Sequence, residues 1–200
     1  DTLTQAAVTS GGDRVALVDP LNRAALDGRE PERLTWADVV ERVDRLASAL
    51  LGHGLAKDDV IVAQLPNTAD AVLLFLACAR IGLILSPVAM PYRAHELGYI
   101  LDSATPKAIV TLESFAGFGH AALMRELAAP RGIAVLVFGT GDDGLRADAA
   151  SANPQNAATY AAQHKTAGGE VLTLCWTSGT EARPKGVPRD HNHWVLNAEV

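Results

Sequence analysis

Residues 177–187, TSGTEARPKGV, gather three hydroxyls, two glycines and a lysine into eleven positions. That set suits a polyphosphate. Gly179 lets the main chain approach an anion closely, and successive N–H groups there can form an anion-binding nest. The hydroxyls of Thr177, Ser178 and Thr180 can donate to phosphate oxygens, and Lys185 adds a mobile point charge. Arg183 and Arg189 make the neighbourhood basic within an acidic chain. It is not a Walker A loop, which requires Gly-Lys-Ser/Thr; here Lys185 stands between Pro184 and Gly186. Ser/Thr/Gly-rich composition by itself ordinarily marks a solvated turn, so the weight falls on order and position. The loop follows directly on Val171–Trp176 (VLTLCW), a continuous apolar run that predicts a strand buried on both faces.

The elements that must hold this loop read as a β/α alternation. Asp13–Asp19 alternates well enough for a short strand, and Arg33–Thr35 can pair with it across the polar link Leu21–Glu32. Thr35 then stands as a helix N-cap, with Asp38 where a capping box carries its acid. Val39, Val43, Leu46, Ala47 and Leu50 recur at helical spacing to about Leu51, and Gly52 and Gly54 end that helix. Val60–Leu65 predicts a strand, Pro66-Asn67 a turn, and Thr68–Ile81 a helix apolar nearly all round and therefore deeply buried. Strands at Leu83–Val88, Ala108–Thr111 and Ile133–Phe138 alternate with helices at Arg93–Leu101 and His120–Leu127. The alternation predicts an α/β fold, a doubly wound, mostly parallel sheet flanked by helices. Across 138–170 the chain turns polar and rich in Ala, Asp, Gly and Asn. This stretch reads as a long surface loop with one weak helix, Asn156–His164.

At 48% hydrophobic and 20% charged, 200 residues carry enough apolar material for a real core. The net charge of −6 lacks the basic surplus of a nucleic-acid binder, so no nucleic-acid partner is expected. Ala71–Ala89 is the most hydrophobic stretch, but Arg80, Gly82, Ser86 and Pro87 interrupt it, and no membrane span is expected. No signal-like apolar segment opens the sequence, so the expected location is cytoplasmic. Cys78 and Cys175 lie in apolar runs and read as buried, reduced thiols. His191-x-His193 beside Asp190 lacks two further well-spaced metal ligands; a solvated helix start capped by Asp190 or Asn192 explains it better. Asp58-Asp59 reads as a turn before a strand and Asp142-Asp143 as a solvated run. His53, His95, His120 and His164 fall at element ends or on polar faces and receive no role.

The order of residues in the loop resembles the signature of the adenylate-forming (AMP-dependent synthetase/ligase) superfamily. That signature is Thr-Ser-Gly-Thr-Thr-Gly-x-Pro-Lys-Gly, and this chain has TSGTEARPKG. A second stretch, PNTADAVLLFLACARIGLILSPVAMPYRAHELGYILDSATPKAIV, resembles the superfamily's PN–buried helix–IG–strand–P–helix–strand segment. Leu34-Thr35-Trp36 before a long helix resembles its opening. The likeness covers most of residues 13–200 and is weakest between 112 and 170. The tail Val187–Trp194 looks closest to ligases that activate aryl or medium-chain acids. Two positions depart from the signature: Glu181 stands for its second Thr and Ala182 for its Gly. If the latter position needs φ > 0, Ala there costs on the order of 1 kcal/mol.

The resemblance implies that residues 1–200 are the N-terminal part of the large adenylation domain of an acyl-CoA synthetase-like ligase. Such enzymes join a carboxylic acid to ATP as an acyl-adenylate and pass the acyl group to coenzyme A. It further implies ATP phosphate contacts at Thr177, Ser178, Gly179, Thr180, Glu181 and Lys185, and a magnesium (Mg2+) contact at Thr177. In the family the adenine and ribose contacts, the magnesium-binding Glu, the acyl pocket and a mobile C-terminal domain with a catalytic Lys lie further downstream. No catalytic residue is therefore expected within these 200, and the fragment alone is expected to be inactive. Two other readings stay open. One is a non-catalytic Rossmann-like nucleotide-binding module, which would place a Gly-rich turn after an early strand, where Gln64-Leu65-Pro66-Asn67 stands instead. The other is a structural module that binds nothing.

Overall fold

The Thr35–Asp38 pair opens the helix that organises one side of the core. In the computed structural model, which describes residues 9–139, 144–177 and 184–198, Thr35 Oγ1 accepts the Asp38 N–H at 3.2 Å and Asp38 Oδ2 accepts the Thr35 N–H at 2.8 Å. Two amide donors that the helix leaves without partners are thereby satisfied. The Thr35 hydroxyl, donating to Asp38 Oδ2 at 2.7 Å, and then the Thr35 N–H hold the Asp38 carboxyl below its ordinary range. Thr35→Ala is expected to cost about 1 kcal/mol in urea unfolding with an unchanged denaturant slope; an unmoved midpoint would show that the cap is idle.

The predicted hairpin forms: β1 (Val15–Val18) pairs antiparallel with β2 (Arg33–Thr35). Its polar link is more ordered than the sequence suggests, because it folds into a short helix, α1 (Arg23–Asp27), that buries Arg23. Then come α2 (Trp36–Gly52), β3 (Val60–Gln64), α3 (Ala69–Ile81), β4 (Ile84–Pro87), α4 (Ala94–Ala104), β5 (Ala108–Leu112), α5 (His120–Ala128) and β6 (Ala134–Phe138). Each lies within a few residues of its expected place. Gly82 ends α3 with φ +75, a left-handed conformation that suits glycine, and a Cβ there would meet Lys57 Cγ at 2.8 Å.

The stretch 138–170 corrects the expectation of a long surface loop. It holds two helices, α6 (Leu145–Ser151) and α7 (Gln155–Gln163), of which the second occupies the place of the weak helix read from the sequence. Both pack on α2, with Leu145 and Ala157 buried and the Ala157 N–H donating to Ser48 Oγ at 3.0 Å. Alanine explains the misreading. It packs closely and favours helix, yet it leaves little hydrophobic periodicity to read.

The six strands β3–β8 form one sheet in the order β6-β5-β3-β4-β7-β8. All neighbouring pairs are parallel except β7 (Val171–Trp176) with β8 (Gly186–Asp190), which is antiparallel. Alternation along the strands sends Ile61, Ala63, Ala108 and Val110 into one core with α2 and α3, and Val62 and Ile109 into a second with α4 and α5. Helices on both faces make the sheet doubly wound, as expected. β7 departs from its expected burial on both faces: Leu172 and Thr173 are buried but Val171 is 37% exposed. The strand lies next to the edge, where helix cover runs out. Cys78 is buried, as read, and burial pushes its thiol up, which makes it a poor nucleophile. Cys175 is only partly buried. Among the described residues no helix is long and apolar enough to cross a membrane.

Candidate functional site

The loop that carries the chemistry joins β7 to β8, where Trp176 faces Gly186 and Cys175 faces Val187. It therefore leaves the carboxyl end of a strand that runs parallel to β4, the end at which open α/β sheets bind ligands. β8 is an element the sequence reading missed. It contains Pro188, and an edge position is where a sheet tolerates proline.

Two of the predicted site residues meet at the mouth of the loop. The Thr177 N–H donates to the Lys185 carbonyl at 3.1 Å, and the Lys185 N–H donates to Thr177 Oγ1 at 3.2 Å. Both residues are exposed. The Thr177 hydroxyl acts here as an acceptor, so its own proton stays available for an anion. Lys185 contributes only main-chain atoms to this clasp, and its ammonium group has no partner among the described residues. Ser178, Gly179, Thr180, Glu181, Ala182 and Arg183, the signature departures Glu181 and Ala182 among them, lie outside the described residues.

The stem below the mouth is held from both faces. On one face the Trp176 indole N–H donates to Ser86 Oγ of β4 at 2.8 Å, and its ring meets Tyr99 of α4 edge-on at 6.2 Å. On the other, the Trp194 indole N–H donates to Thr173 Oγ1 at 3.0 Å, with its ring edge-on to Phe75 of α3 at 5.2 Å. Trp194 belongs to α8 (His191–Ala198), which Asp190 caps as expected by accepting the His193 N–H at 2.8 Å.

Along the same end of the sheet lies a charged junction absent from the sequence reading. The Asp70 carboxylate accepts from Arg23, from Arg29 Nη1 at 2.8 Å and from Arg146 Nη2 at 2.7 Å. Arg23, fully buried, also pairs with Asp19 and Asp27, and Asp19 accepts the Ala69 N–H at 2.7 Å at the start of α3. Burial pushes the Asp70 carboxyl up, and the charges of Arg23 and Arg29 draw it back. A cleft of about 380 Å³ opens beside this junction, between Arg29, Pro66, Leu112, Phe138 and Arg146. Its cations are already paired, so it holds the link, α3 and α6 together rather than presenting a basic surplus. No local signal could have exposed it: the three arginines stand 47, 41 and 76 residues from Asp70.

His120, read as an element end without a role, is instead buried, with Nδ1 at 2.8 Å from Gln64 Oε1. Burial, followed by the charge of Arg93, pushes the imidazole down towards its neutral form. The Gln64 side-chain amide in turn donates to the Ala89 and Tyr92 carbonyls at 2.9 and 3.2 Å, bracing the segment after β4. The role is structural.

Residues 3–200 match the family described as AMP-binding enzyme. A salicylyl-CoA synthase / salicylate adenylyltransferase of Streptomyces sp is 36% identical over 196 residues, covering 94% of this chain and 33% of that protein. A salicyl-AMP ligase / salicyl-S-ArCP synthetase of Mycobacterium tuberculosis is 30% identical over 198 residues, covering 99% of this chain and 34% of that protein. Among solved structures, ATP-bound MatB from Rhodopseudomonas palustris aligns with a TM-score of 0.71 at 28% identity, over 84% of this chain and 32% of that one. The chain thus spans about one third of the length of the relatives it matches.

Proposed function

We propose, from the premise that this chain belongs to the AMP-binding enzyme family, that the complete protein is an ATP-dependent carboxylate-activating ligase. It joins an acid to ATP as an acyl-adenylate and hands the acyl group to a thiol, with coenzyme A as the first acceptor to test. The observation that carries the reading is the residue order TSGTEARPKG leaving the carboxyl end of β7, with Thr177 and Lys185 meeting at its mouth. The two relatives are named for salicylate, and the tail Val187–Trp194 resembles that of ligases for aryl or medium-chain acids. The names of the relatives favour an aryl carboxylic acid as substrate, and the tail is compatible with one.

The physical problem is electrostatic. A carboxylate must approach a triphosphate of like charge, and pyrophosphate must leave carrying more charge than it had when bound. Fixed donors aimed at that charge lower the barrier without having to reorganise. Thr177, Ser178 and Thr180 supply hydroxyl donors, Gly179 admits the main chain to the phosphates, and Lys185 brings a positive charge. Glu181 belongs to the same run of proposed phosphate contacts. Magnesium, when bound to the β- and γ-phosphates, screens their charge. The exposed Thr177 hydroxyl, a neutral hard oxygen, fits as one ligand of a shell that phosphate oxygens and water complete. Adenine, ribose and acyl contacts are assigned to the remainder of the protein.

The test is exchange of labelled pyrophosphate into ATP. The complete protein should catalyse it in the presence of salicylate or benzoate, and residues 1–200 alone should not. Exchange that ignores the acid, or that fails across a panel of carboxylates, would overturn the ligase reading; turnover by the isolated fragment would overturn its dependence on the rest.

A further inference from the structure

Thr177 and Lys185 are exposed, and a two-bond clasp between exposed residues does not fix its own orientation. What fixes it must lie one residue back. Trp176 is the last residue of β7, and its indole spans from the loop stem to β4, where Ser86 is fully buried. The N–H···O bond between them measures 2.8 Å, and the Tyr99 ring meets the indole edge-on at 6.2 Å. Across the hairpin, Gly186 leaves room for this arrangement. A Cβ there would meet Leu174 Cδ1 at 3.0 Å and Trp176 Cη2 at 3.4 Å. An indole has two torsions and a single donor, so one bond to a buried acceptor sets its rotation.

We propose that Trp176, held by Ser86, is the positioning residue of the phosphate loop: it sets the direction in which Thr177 and Lys185 leave the sheet. The proposal rests on the ligase reading for its choice of nucleotide. Neither side chain needs to touch ATP. Their effect travels through the clasp and so reaches the β- and γ-phosphates, while contacts to the α-phosphate end of the nucleotide and to the acid are made elsewhere.

The experiment measures MgATP and AMP dissociation constants by calorimetry on the complete protein and its Ser86→Ala, Trp176→Phe, Ser86→Thr and double Ser86→Ala/Trp176→Phe variants. The two single losses should each weaken MgATP about tenfold, the scale of one hydrogen bond, and leave AMP within about twofold. The double variant should match either single one, because all three lose the same bond. Ser86→Thr keeps the hydroxyl and should bind as the parent does. Equal losses for MgATP and AMP would mean general damage and overturn the proposal, as would unchanged MgATP binding or additive losses. Should Trp176→Phe fail to fold, Ser86→Ala carries the same comparison. Intact MgATP binding without acid-dependent exchange would sink the ligase reading and leave this inference standing.

Discussion

Replacing Lys185 with alanine in the complete protein should lower acid-dependent ATP–pyrophosphate exchange about a hundredfold in kcat/KM, the scale seen when one fixed donor to developing charge is removed. The structure makes this substitution unusually clean. Lys185 closes the loop mouth through its carbonyl and N–H, which alanine retains, and its exposed side chain packs into no core. Loss of activity should therefore come without loss of stability, and the unfolding midpoint should stay within the few tenths of a kcal/mol usual for surface changes. Lys185→Arg preserves the charge but spreads it over a planar fork, so it should restore only part of the rate. Unchanged exchange in Lys185→Ala would remove the ammonium from the phosphate site. A parallel fall in stability would mean that the side chain has a packing role the structure does not contain.

Asp70→Ala should have the largest effect on stability of any single change at the charged junction, on the order of 3–5 kcal/mol. Three guanidinium groups converge on that carboxylate, and Arg23 among them is fully buried. Removing the anion leaves Arg23 with Asp19 and Asp27 only, and it leaves Arg29 and Arg146 facing like charge at short range. Domains of this size are usually stable by only about 5–15 kcal/mol, so the variant should be marginal or unfolded at room temperature. Urea unfolding measures it directly. Asp148→Ala provides the contrast: its pairing with His53 is exposed, at 46% and 36% for the two side chains, and its loss should move stability by no more than about 0.5 kcal/mol. If Asp70→Ala unfolds at the parent midpoint, the junction is an ornament of the surface and not a clamp.

The two variants also separate two stretches along the carboxyl edge of the same sheet. Lys185 lies at the β7–β8 end and should affect nucleotide chemistry. Asp70 lies beside β3, β5 and β6 and should affect folding. The arginine-rich cleft is the more conspicuous of the two in the structure, yet its arginines are already ion-paired with Asp70. Thr177 and Lys185 at the loop mouth are exposed, and among the described residues no side chain pairs with the lysine ammonium.

What the residues dictated by themselves were the features whose causes act over a few positions. The Thr35–Asp38 box spans one turn, the apolar period of α2 and α3 a few turns, and the strand runs β3 to β6 four or five residues each. The order TSGTEARPKG likewise marks its own chemistry, because phosphate recognition depends on which donors follow one another along the main chain. Tertiary structure decided what local periodicity cannot encode. Alanine-rich 145–163 becomes two packed helices only because α2 offers a surface, with Ser48 and Arg45 to take its polar groups. Arg23 and His120 look solvent-bound until partners distant in sequence, Asp70 and Gln64, accompany them into the interior. β8 exists because an edge strand can accommodate Pro188. The division has one physical reason: a cap or a period is enforced by neighbours along the chain, whereas a buried charge is tolerated only where the whole fold has brought its counter-charge within reach.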